Sequence, residues 1–138
     1  MSALLKYINE NPLDWKNKIR IDFKIHVKEE RGYVLLIYDS KADFNNPIVQ
    51  ECRGIILDDE NQIVCCPFYK FGNFYEKYVP DIDWNSARVE EKLDGSIVKF
   101  WYDKGKWNTS SNTQIDFKLS FDVNTSQFDI EYRIYIHL

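Results

Sequence analysis

The sequence contains few of the residues from which common metal sites and hydrolytic centres are built. It has two histidines, His26 and His137, and three cysteines, Cys52, Cys65 and Cys66. The histidines are far apart and have no nucleophile motif beside them, and the cysteines lack the spacing of a zinc site or a disulfide framework. We therefore expect no Ser-His-Asp centre and identify no metal ligands. We expect free thiols that are buried as small hydrophobic side chains.

Net positive charge and long apolar segments are also absent. The net charge is -4, so any contact with nucleic acid must come from a local basic patch and not from bulk positive charge. No apolar run approaches the roughly 20 residues that cross a membrane. The residues after Met1 lack the charged and then apolar pattern of a signal peptide. These features predict a cytoplasmic protein with no membrane partner.

The composition is that of a protein with a packed core. The 138 residues are 44% hydrophobic and 16% aromatic, whereas disordered chains are poor in aromatic and β-branched residues. The length is typical of one domain or of a part of a larger one. Short apolar segments separated by turn residues predict an α+β domain that is rich in antiparallel strands.

Helical segments are expected near the start of the chain, and strands in the rest. Ser2 has the position of an N-cap for a helix over residues 3–9, and a second helical turn is predicted over residues 14–18. Apolar and polar side chains alternate from Ile19 to Lys28, which predicts a half-buried strand. Further strands are predicted at residues 33–38, 55–57, 63–66, 89–92, 96–102, 107–109 and 130–138. Residues 115–121 fit either a helix or a strand.

The segment with the clearest chemistry is Lys-Leu-Asp-Gly-Ser at residues 92–96. A lysine fixed among buried strands is partly desolvated, which favours its neutral and nucleophilic amine, whereas the ordinary pKa of lysine is about 10.4. Gly95 allows a ligand to approach the backbone closely. A solvated lysine beside a surface turn is the alternative interpretation, and these five residues alone would favour it.

Three segments in the same order resemble the tailed-phage RNA ligase 1 family. Residues 92–96 resemble the Lys-x-Asp-Gly motif of ATP-dependent ligases and capping enzymes. Residues 51–55 (Glu-Cys-Arg-Gly-Ile) and 67–73 (Pro-Phe-Tyr-Lys-Phe-Gly-Asn), followed by Glu76, are similar to two further segments of that family. The resemblance covers residues 50 to about 116. It implies that residues 1–138 are the N-terminal part of an incomplete nucleotidyltransferase domain (an ATP-grasp-like ligase adenylation domain), with the assignment of residues 118–138 left open.

The resemblance implies a role for each matching residue in nucleotide binding. Lys92 would attack the α-phosphate of ATP and carry AMP as a phosphoamide, Glu90 would recognise adenine, and Gly95 would permit close approach of the nucleotide. Phe71 would shape the adenosine pocket. For Phe68, Phe71 and Phe74 the alternative is an ordinary core position, which we expect for at least two of the three.

The resemblance also implies phosphate contacts, a metal and an RNA substrate. Arg53 would contact the triphosphate or the AMP phosphate, and Lys70 would hold the pyrophosphate side. The alternatives are a surface ion pair of Arg53 with Glu51 or Asp58, and a solvated Lys70, but the matching segments favour function. Mg²⁺ would neutralise phosphate charge. AMP would then pass to an RNA 5′-phosphate, and an RNA 3′-hydroxyl would displace it to seal the strand.

The sequence departs from the family pattern in two places. The family often has a basic residue after the Lys-x-Asp-Gly motif, whereas residues 109–113 (Thr-Ser-Ser-Asn-Thr) contain none. The Phe-Glu, Glu-Gly and Lys-x-Lys segments expected downstream are not found. We therefore expect a truncated product, a fragment, a frameshifted chain or one half of a split enzyme, with catalysis severely reduced in the absence of its C-terminal half. A non-catalytic nucleotide-binding or RNA-binding remnant of a ligase is an alternative, and so is a small β-rich interaction protein.

Overall fold

The structure is a computed structural model that describes residues 2–89 and 97–117 and the backbone of residues 133–136. The helices in these ranges are α1 (Ala3–Glu10), α2 (Trp15–Phe23) and α3 (Pro47–Glu51). The strands are β1 (Ile25–Glu30), β2 (Tyr33–Tyr38), β3 (Arg53–Leu57), β4 (Ile63–Cys65), β5 (Ile97–Asp103), β6 (Lys106–Ser110) and β7 (Arg133–Ile136). The predicted α+β class is confirmed.

The strands form two sheets. Sheet A has the order β1-β2-β3-β4, with every neighbouring pair antiparallel. Sheet B has the order β6-β5-β7, in which β6 is antiparallel to β5 but β7 is parallel to it. The expected predominance of antiparallel strands is therefore confirmed for sheet A and the β5–β6 hairpin, and the β5–β7 pair is a parallel exception. Parallel neighbours require a long connection, and the turn signals that identify hairpins do not predict such a pairing.

Sheet A is buried on both faces, which explains why its central strands are continuously apolar. On one face, Val34 and Leu36 join a core with Leu4 and Ile8 of α1 and Ile19 of α2. On the other face, the alternate side chains meet residues of sheet B and of the segment after it. That second cluster consists of Tyr33, Leu35, Ile56, Cys65, Trp101 and Ile115. Because successive side chains of a strand point to opposite faces, β2 needs apolar residues at every buried position.

The strand predicted over residues 19–28 is wrong in its first half. The helix α2 continues to Phe23, and β1 begins only at Ile25. Trp15 and Ile19 are buried one helical turn apart, whereas Ile21 is 78% exposed. The apolar residues at 19, 21 and 23 match the period of a strand, but the partners with which they pack select the period of a helix. Lys24, in the left-handed backbone region, ends the helix.

The remaining local predictions are largely confirmed. Ser2 caps α1, since its hydroxyl accepts a hydrogen bond from the Leu5 N–H. The predicted hairpins β1–β2, β3–β4 and β5–β6 are present. The cysteines are free, as expected, with Cys52 and Cys65 buried. Val89 does not lie in a strand, and residues 115–117 are neither helix nor strand. No helix in the described part of the chain is both long and apolar enough to cross a membrane.

Glu51 holds the N-terminus of α1 against the end of α3. Its buried carboxylate accepts hydrogen bonds from the Ser2 hydroxyl, from the Ala3 N–H at 2.8 Å and from the Leu4 N–H at 3.2 Å. A carboxylate at a helix N-terminus satisfies N–H groups that lack partners within the helix and interacts favourably with the helix dipole. Glu51 therefore has a structural role that is satisfied inside the protein.

Gly54 lies where sheets A and B approach each other. Its φ of +89° is in the left-handed region, and a Cβ at this position would lie 3.0 Å from both the Asn112 Cα and the Lys99 Nζ. The Lys99 ammonium donates a hydrogen bond to the Gly54 carbonyl. A residue without a side chain is thus required both by the backbone conformation and by the space available.

Glu51→Gln should lower the free energy of unfolding by about 1–3 kcal/mol, since a neutral amide interacts less favourably with the N–H groups of α1 and brings donors toward them. Urea denaturation followed by circular dichroism measures this loss. Glu10→Gln is the matched control, because Glu10 is 60% exposed in its pair with Lys6 and should change stability little. Equal stability of the two variants would contradict the role given to Glu51.

Gly54→Ala should be more destabilising than Gly105→Ala. Both glycines have a positive φ, but a Cβ at Gly105 would have no atom within 4 Å. Gly105→Ala should therefore cost roughly 1–2 kcal/mol, from backbone strain alone. Gly54→Ala should cost about 1–3 kcal/mol more because of overpacking against Asn112. Denaturant midpoints of the two variants give the difference, and its absence would show that the contact with Asn112 relaxes freely.

Candidate functional site

The Arg53 side chain is stacked on an aromatic ring and has an unpaired nitrogen. Arg53 is the first residue of β3, and its guanidinium carbon lies 4.4 Å from the centroid of the Phe71 ring. Its Nη1 atom is buried and has no hydrogen-bond partner. Stacking fixes the plane of a guanidinium while its N–H groups remain directed outward within that plane. Arg53 therefore has a donor for which the described residues supply no acceptor.

Neither carboxylate considered as a partner of Arg53 pairs with it. Glu51 is bonded to the N-terminus of α1, and Asp58 accepts hydrogen bonds from the N–H groups of Glu60 and Gln62 in the turn before β4. Within residues 2–89 and 97–117, Arg53 forms no ion pair. The alternative of a surface ion pair with Glu51 or Asp58 is therefore not what the structure contains.

Lys70 and Phe71 lie beside Arg53 in a segment without regular structure. The Lys70 N–H donates to the Gln50 carbonyl at 2.8 Å, which ties residues 67–73 to the end of α3. Two of the three sequence segments that resemble RNA ligase 1 are thus in contact, through the Arg53–Phe71 stack and through this backbone bond. These segments are well separated in sequence, and their proximity follows from tertiary structure alone.

The Lys70 ammonium belongs to a hydrogen-bond network that closes the loop around Gly72. It donates to the Phe71 carbonyl at 2.8 Å and to the Tyr78 hydroxyl at 3.0 Å. Tyr78 in turn donates to Glu76 at 2.7 Å, and this bond is the main reason that the pKa of the Glu76 carboxyl is lowered. The ammonium also lies 5.2 Å from the centroid of the Phe44 ring. Lys70 is half-buried within this network and is not a fully solvated side chain.

The aromatic side chains of this segment are more exposed than expected. Phe68 and Phe71 are each 52% exposed and Phe74 is 71% exposed, so the prediction that at least two of the three lie in the core is wrong. Residues 66–89 contain no helix or strand, and therefore no regular face on which aromatic rings would be packed into the core. The segment instead exposes aromatic surface.

Lys99 is a buried cation that the sequence reasoning missed. It lies in β5 with 2% of its surface exposed, and its ammonium donates to the Gly54 carbonyl. Burial lowers its pKa to about 8, and the nearby Cys65 thiol acts weakly in the opposite direction. The signal was available, since Lys99 interrupts the apolar run Ile97-Val98-Lys99-Phe100-Trp101 in a predicted strand.

Asn112 completes the surroundings of Gly54. Its Cα and its carbonyl oxygen each lie 3.0 Å from the Cβ position of Gly54, as does the Lys99 ammonium. Its side-chain Oδ1 is buried and has no hydrogen-bond partner. Gly54 is therefore in contact with the Lys99 ammonium and with Asn112 and follows Arg53 in the chain, so that two cations and two polar atoms without hydrogen-bond partners belong to this region. Such a concentration of unsatisfied buried polar atoms is uncommon in a folded protein and suggests a binding site.

Three of the candidate site residues cannot be placed. Glu90, Lys92 and Gly95 lie outside the described residues, between Val89 and Ile97. Their proposed roles therefore stay predictions from the sequence. In the described part of the chain, no group of three metal-ligating side chains is close enough to hold an ion.

The chain is similar in sequence to proteins of viruses and phages. It is 32% identical over 104 residues, covering 64% of this chain, to a protein of Autographa californica nuclear polyhedrosis virus named as a bifunctional polynucleotide kinase/RNA ligase. It is 30% identical over 105 residues, covering 70% of this chain, to an uncharacterized protein of Ostreid herpesvirus 1 (isolate France). It is 30% identical over 97 residues, covering 64% of this chain, to RNA ligase 1 of Bacteriophage TS2126.

These similarities cover much of this chain but little of each relative. The chain spans 15%, 26% and 25% of the length of the three relatives, in the order given. No family model and no solved structure matches the chain. The predicted resemblance is nevertheless confirmed at the level of sequence: over about 65% of its length, the chain resembles the RNA ligase family.

Proposed function

We propose that the chain is the N-terminal part of the adenylation domain of an ATP-dependent RNA ligase. The observation that carries this proposal is the Arg53 guanidinium, which is stacked on Phe71 and keeps a buried nitrogen without a partner. Arginine binds phosphate through paired N–H groups, and an aromatic ring beside it offers a stacking surface to a purine. The names of two relatives support a ligase over other nucleotide-binding proteins.

In the proposed reaction, Lys92 is the nucleophile. Its neutral amine attacks the α-phosphorus of ATP, so that a nitrogen–phosphorus bond forms while the bond to the β-phosphate oxygen breaks. Pyrophosphate leaves, and the amine loses a proton. The covalent lysyl-AMP divides one difficult step into two easier ones. Gly95 gives the nucleotide room to approach, and Glu90 recognises adenine.

The described residues bind and orient the nucleotide in this proposal. Arg53 donates to a phosphate oxygen through Nη1, and Phe71 keeps the guanidinium plane fixed. Lys70 carries positive charge next to Phe71 and acts toward the pyrophosphate side, where it has to exchange its bonds to Phe71 and Tyr78 for bonds to phosphate. Phosphoryl transfer depends mainly on such positioning and charge stabilisation.

Mg²⁺ and RNA belong to the proposal as further requirements. The described residues contain no cluster of three metal-ligating side chains, so none of them is assigned as a ligand of Mg²⁺. Its general chemistry is to neutralise phosphate charge. RNA with a 5′-phosphate accepts AMP from Lys92, and an RNA 3′-hydroxyl then displaces the AMP to seal the strand. Residues outside this chain, in a C-terminal half, would supply the remaining groups.

Lys92→Ala should abolish transfer of radioactive label from [α-³²P]ATP and Mg²⁺ to the protein, because it removes the attacking amine. The wild-type chain should acquire label that is released by acid, as expected of a phosphoamide. Lys106→Ala removes an exposed lysine of β6 and should be labelled like the wild type. Label on Lys92→Ala would refute the assignment of the nucleophile. Binding of ATP by the wild type without labelling would favour a non-catalytic remnant of a ligase.

Arg53→Met should reduce the affinity for ATP by roughly 10-fold or more, since a charge-assisted hydrogen bond to phosphate is lost while the alkyl stem remains. Affinity for adenosine, which has no phosphate, should change much less. Isothermal titration calorimetry measures both. Arg20→Met, on the exposed surface of α2, is the matched control. Equal losses for ATP and adenosine would contradict a phosphate contact at Arg53.

A further inference from the structure

The Lys99 side chain is directed toward sheet A, on the same side of β5 as Trp101. Lys99 and Trp101 are two residues apart in the strand and almost fully buried, and Trp101 packs against Tyr33, Leu35 and Ile56 of sheet A. The Lys99 ammonium therefore reaches the Gly54 carbonyl in β3. Its position is fixed by packing on the rest of the strand.

The charge of Lys99 has no counter-charge in the part of the chain that the structure describes. The groups that face it are the Gly54 carbonyl, the Cys65 thiol on β4 and the backbone of Asn112. A buried cation without an anionic partner is energetically unfavourable. Arg53, adjacent to Gly54 in the chain, is a second cation that pairs with no carboxylate of residues 2–89 and 97–117, and its Nη1 has no hydrogen-bond partner. An anion bound at Arg53 would stabilise both charges.

Strand register relates Lys99 to the segment that lacks a basic residue. Lys99 is the direct partner of Ser110 across the antiparallel β5–β6 pair. Residues opposite each other in such a pair project from the same face of the sheet. Lys99 and Ser110 therefore project from the same face of sheet B, and the Lys99 ammonium lies close to Asn112. Residues 109–113 contain no basic side chain, and Lys99 is a buried cation beside this segment.

We propose that Lys99 supplies the second positive charge of a phosphate subsite at Arg53, in place of a basic side chain in residues 109–113. Lys99 is a positioning residue, which acts on the bound phosphate through its electrostatic field across Gly54. In a buried environment of low dielectric constant, this attraction extends over several ångströms. The inference rests on the proposed function only in taking the anion to be a phosphate of the nucleotide.

The test measures binding of inorganic pyrophosphate and of ATP by calorimetry at pH 7. Lys99→Gln keeps a donor toward the Gly54 carbonyl but removes the charge, and it should weaken binding of pyrophosphate by roughly 10-fold. Lys99→Met removes both the donor and the charge, and it should weaken binding of pyrophosphate at least as much. Lys106→Met removes an exposed charge from the same hairpin and should leave binding unchanged. Full affinity in Lys99→Gln would overturn the proposal, because a purely structural hydrogen bond would survive this change.

The pH dependence of binding separates the charge of Lys99 from a loss of structure. Between pH 8 and 10 the Lys99 amine loses its proton in the free protein, since its pKa is about 8. Affinity for pyrophosphate should therefore fall as the pH rises through this range. The series is run in a Lys92→Ala background, so that Lys92 does not titrate, and the Cys65 thiol, with a pKa raised to about 11 by burial, stays protonated. Ionisation of pyrophosphate contributes equally in both backgrounds, so the slope of affinity against pH should be more negative in Lys92→Ala than in Lys92→Ala/Lys99→Gln. Equal slopes would overturn the proposal.

Stability measurements check that the variants report on charge. The pKa of Lys99 is lower in the folded protein than the ordinary value of 10.5, so between pH 8 and 10.5 the unfolded chain holds more protons than the folded one. The free energy of unfolding of the wild type should therefore rise with pH in this window relative to Lys99→Gln.

Pyrophosphate binding that depends on Lys99, without labelling of Lys92 by ATP, would support the subsite and refute the ligase reaction for this chain alone. Labelling of Lys92 by ATP, together with unchanged affinity of Lys99→Gln for pyrophosphate, would support the ligase reaction and refute the subsite. Absence of pyrophosphate binding in the wild type would refute the subsite.

Discussion

The hydrogen bond from the Lys99 ammonium to the Gly54 carbonyl is the contact on which the arrangement around the candidate site depends. It joins β5 of sheet B to β3 of sheet A, and it forms where Gly54 has no side chain to keep the strands apart. The same contact determines where Arg53 lies, because Arg53 precedes Gly54 at the start of β3. A larger residue at position 54 would displace the ammonium, the Asn112 backbone or the start of β3. The position of the Lys99 charge therefore depends on the absence of a side chain at Gly54.

Glu51 and Arg53 show how two adjacent charges avoid neutralising each other. Glu51 is the last residue of α3, and Arg53 is the first residue of β3, with the buried Cys52 between them. The change from helix to strand directs the carboxylate to the N-terminus of α1 and the guanidinium to Phe71. An ion pair between them would satisfy both groups and remove the reason to bind an anion. Because the N-terminus of α1 binds the Glu51 carboxylate, Glu51 does not pair with the Arg53 guanidinium.

Local signals in the sequence were sufficient for most of sheet A and for the β5–β6 hairpin, because turn residues and alternating burial determine hairpins over short distances. They failed at α2, where residues 19–23 fit both periods and only packing around Ile19 decides between them. They failed for Phe68, Phe71 and Phe74, since hydrophobicity alone does not reveal that a segment lacks a regular face. The contact between Arg53 and Phe71 agrees with the resemblance, but the resemblance itself contained no geometry.

Lys99 was missed because a buried lysine looks, in sequence, like the polar member of an alternating strand. Its burial follows from a tertiary fact, the approach of sheet B to Gly54, that no local pattern contains. The roles of Glu90, Lys92 and Gly95 stay predictions, since these residues lie outside the described ranges. Sequence resemblance and geometry therefore support different parts of the candidate site: the resemblance predicts Lys92 as the nucleophile, and the structure places Arg53 and Lys99 on either side of the contact between the two sheets.

The distribution of charge bears on how a protein with a net charge of -4 would bind a polyanion in the proposed function. Exposed charges are screened by salt over about 8–10 Å, so scattered surface lysines would attract phosphate weakly against an acidic background. Lys99 is almost fully buried, whereas Arg53 is half-buried with its Nη1 atom buried, so the attraction of an anion to these groups would be less screened than at the surface. In the proposed site, two cations held in this way would outweigh the net charge locally. Recognition of phosphate would then depend on where these two charges are held and not on how many the surface carries.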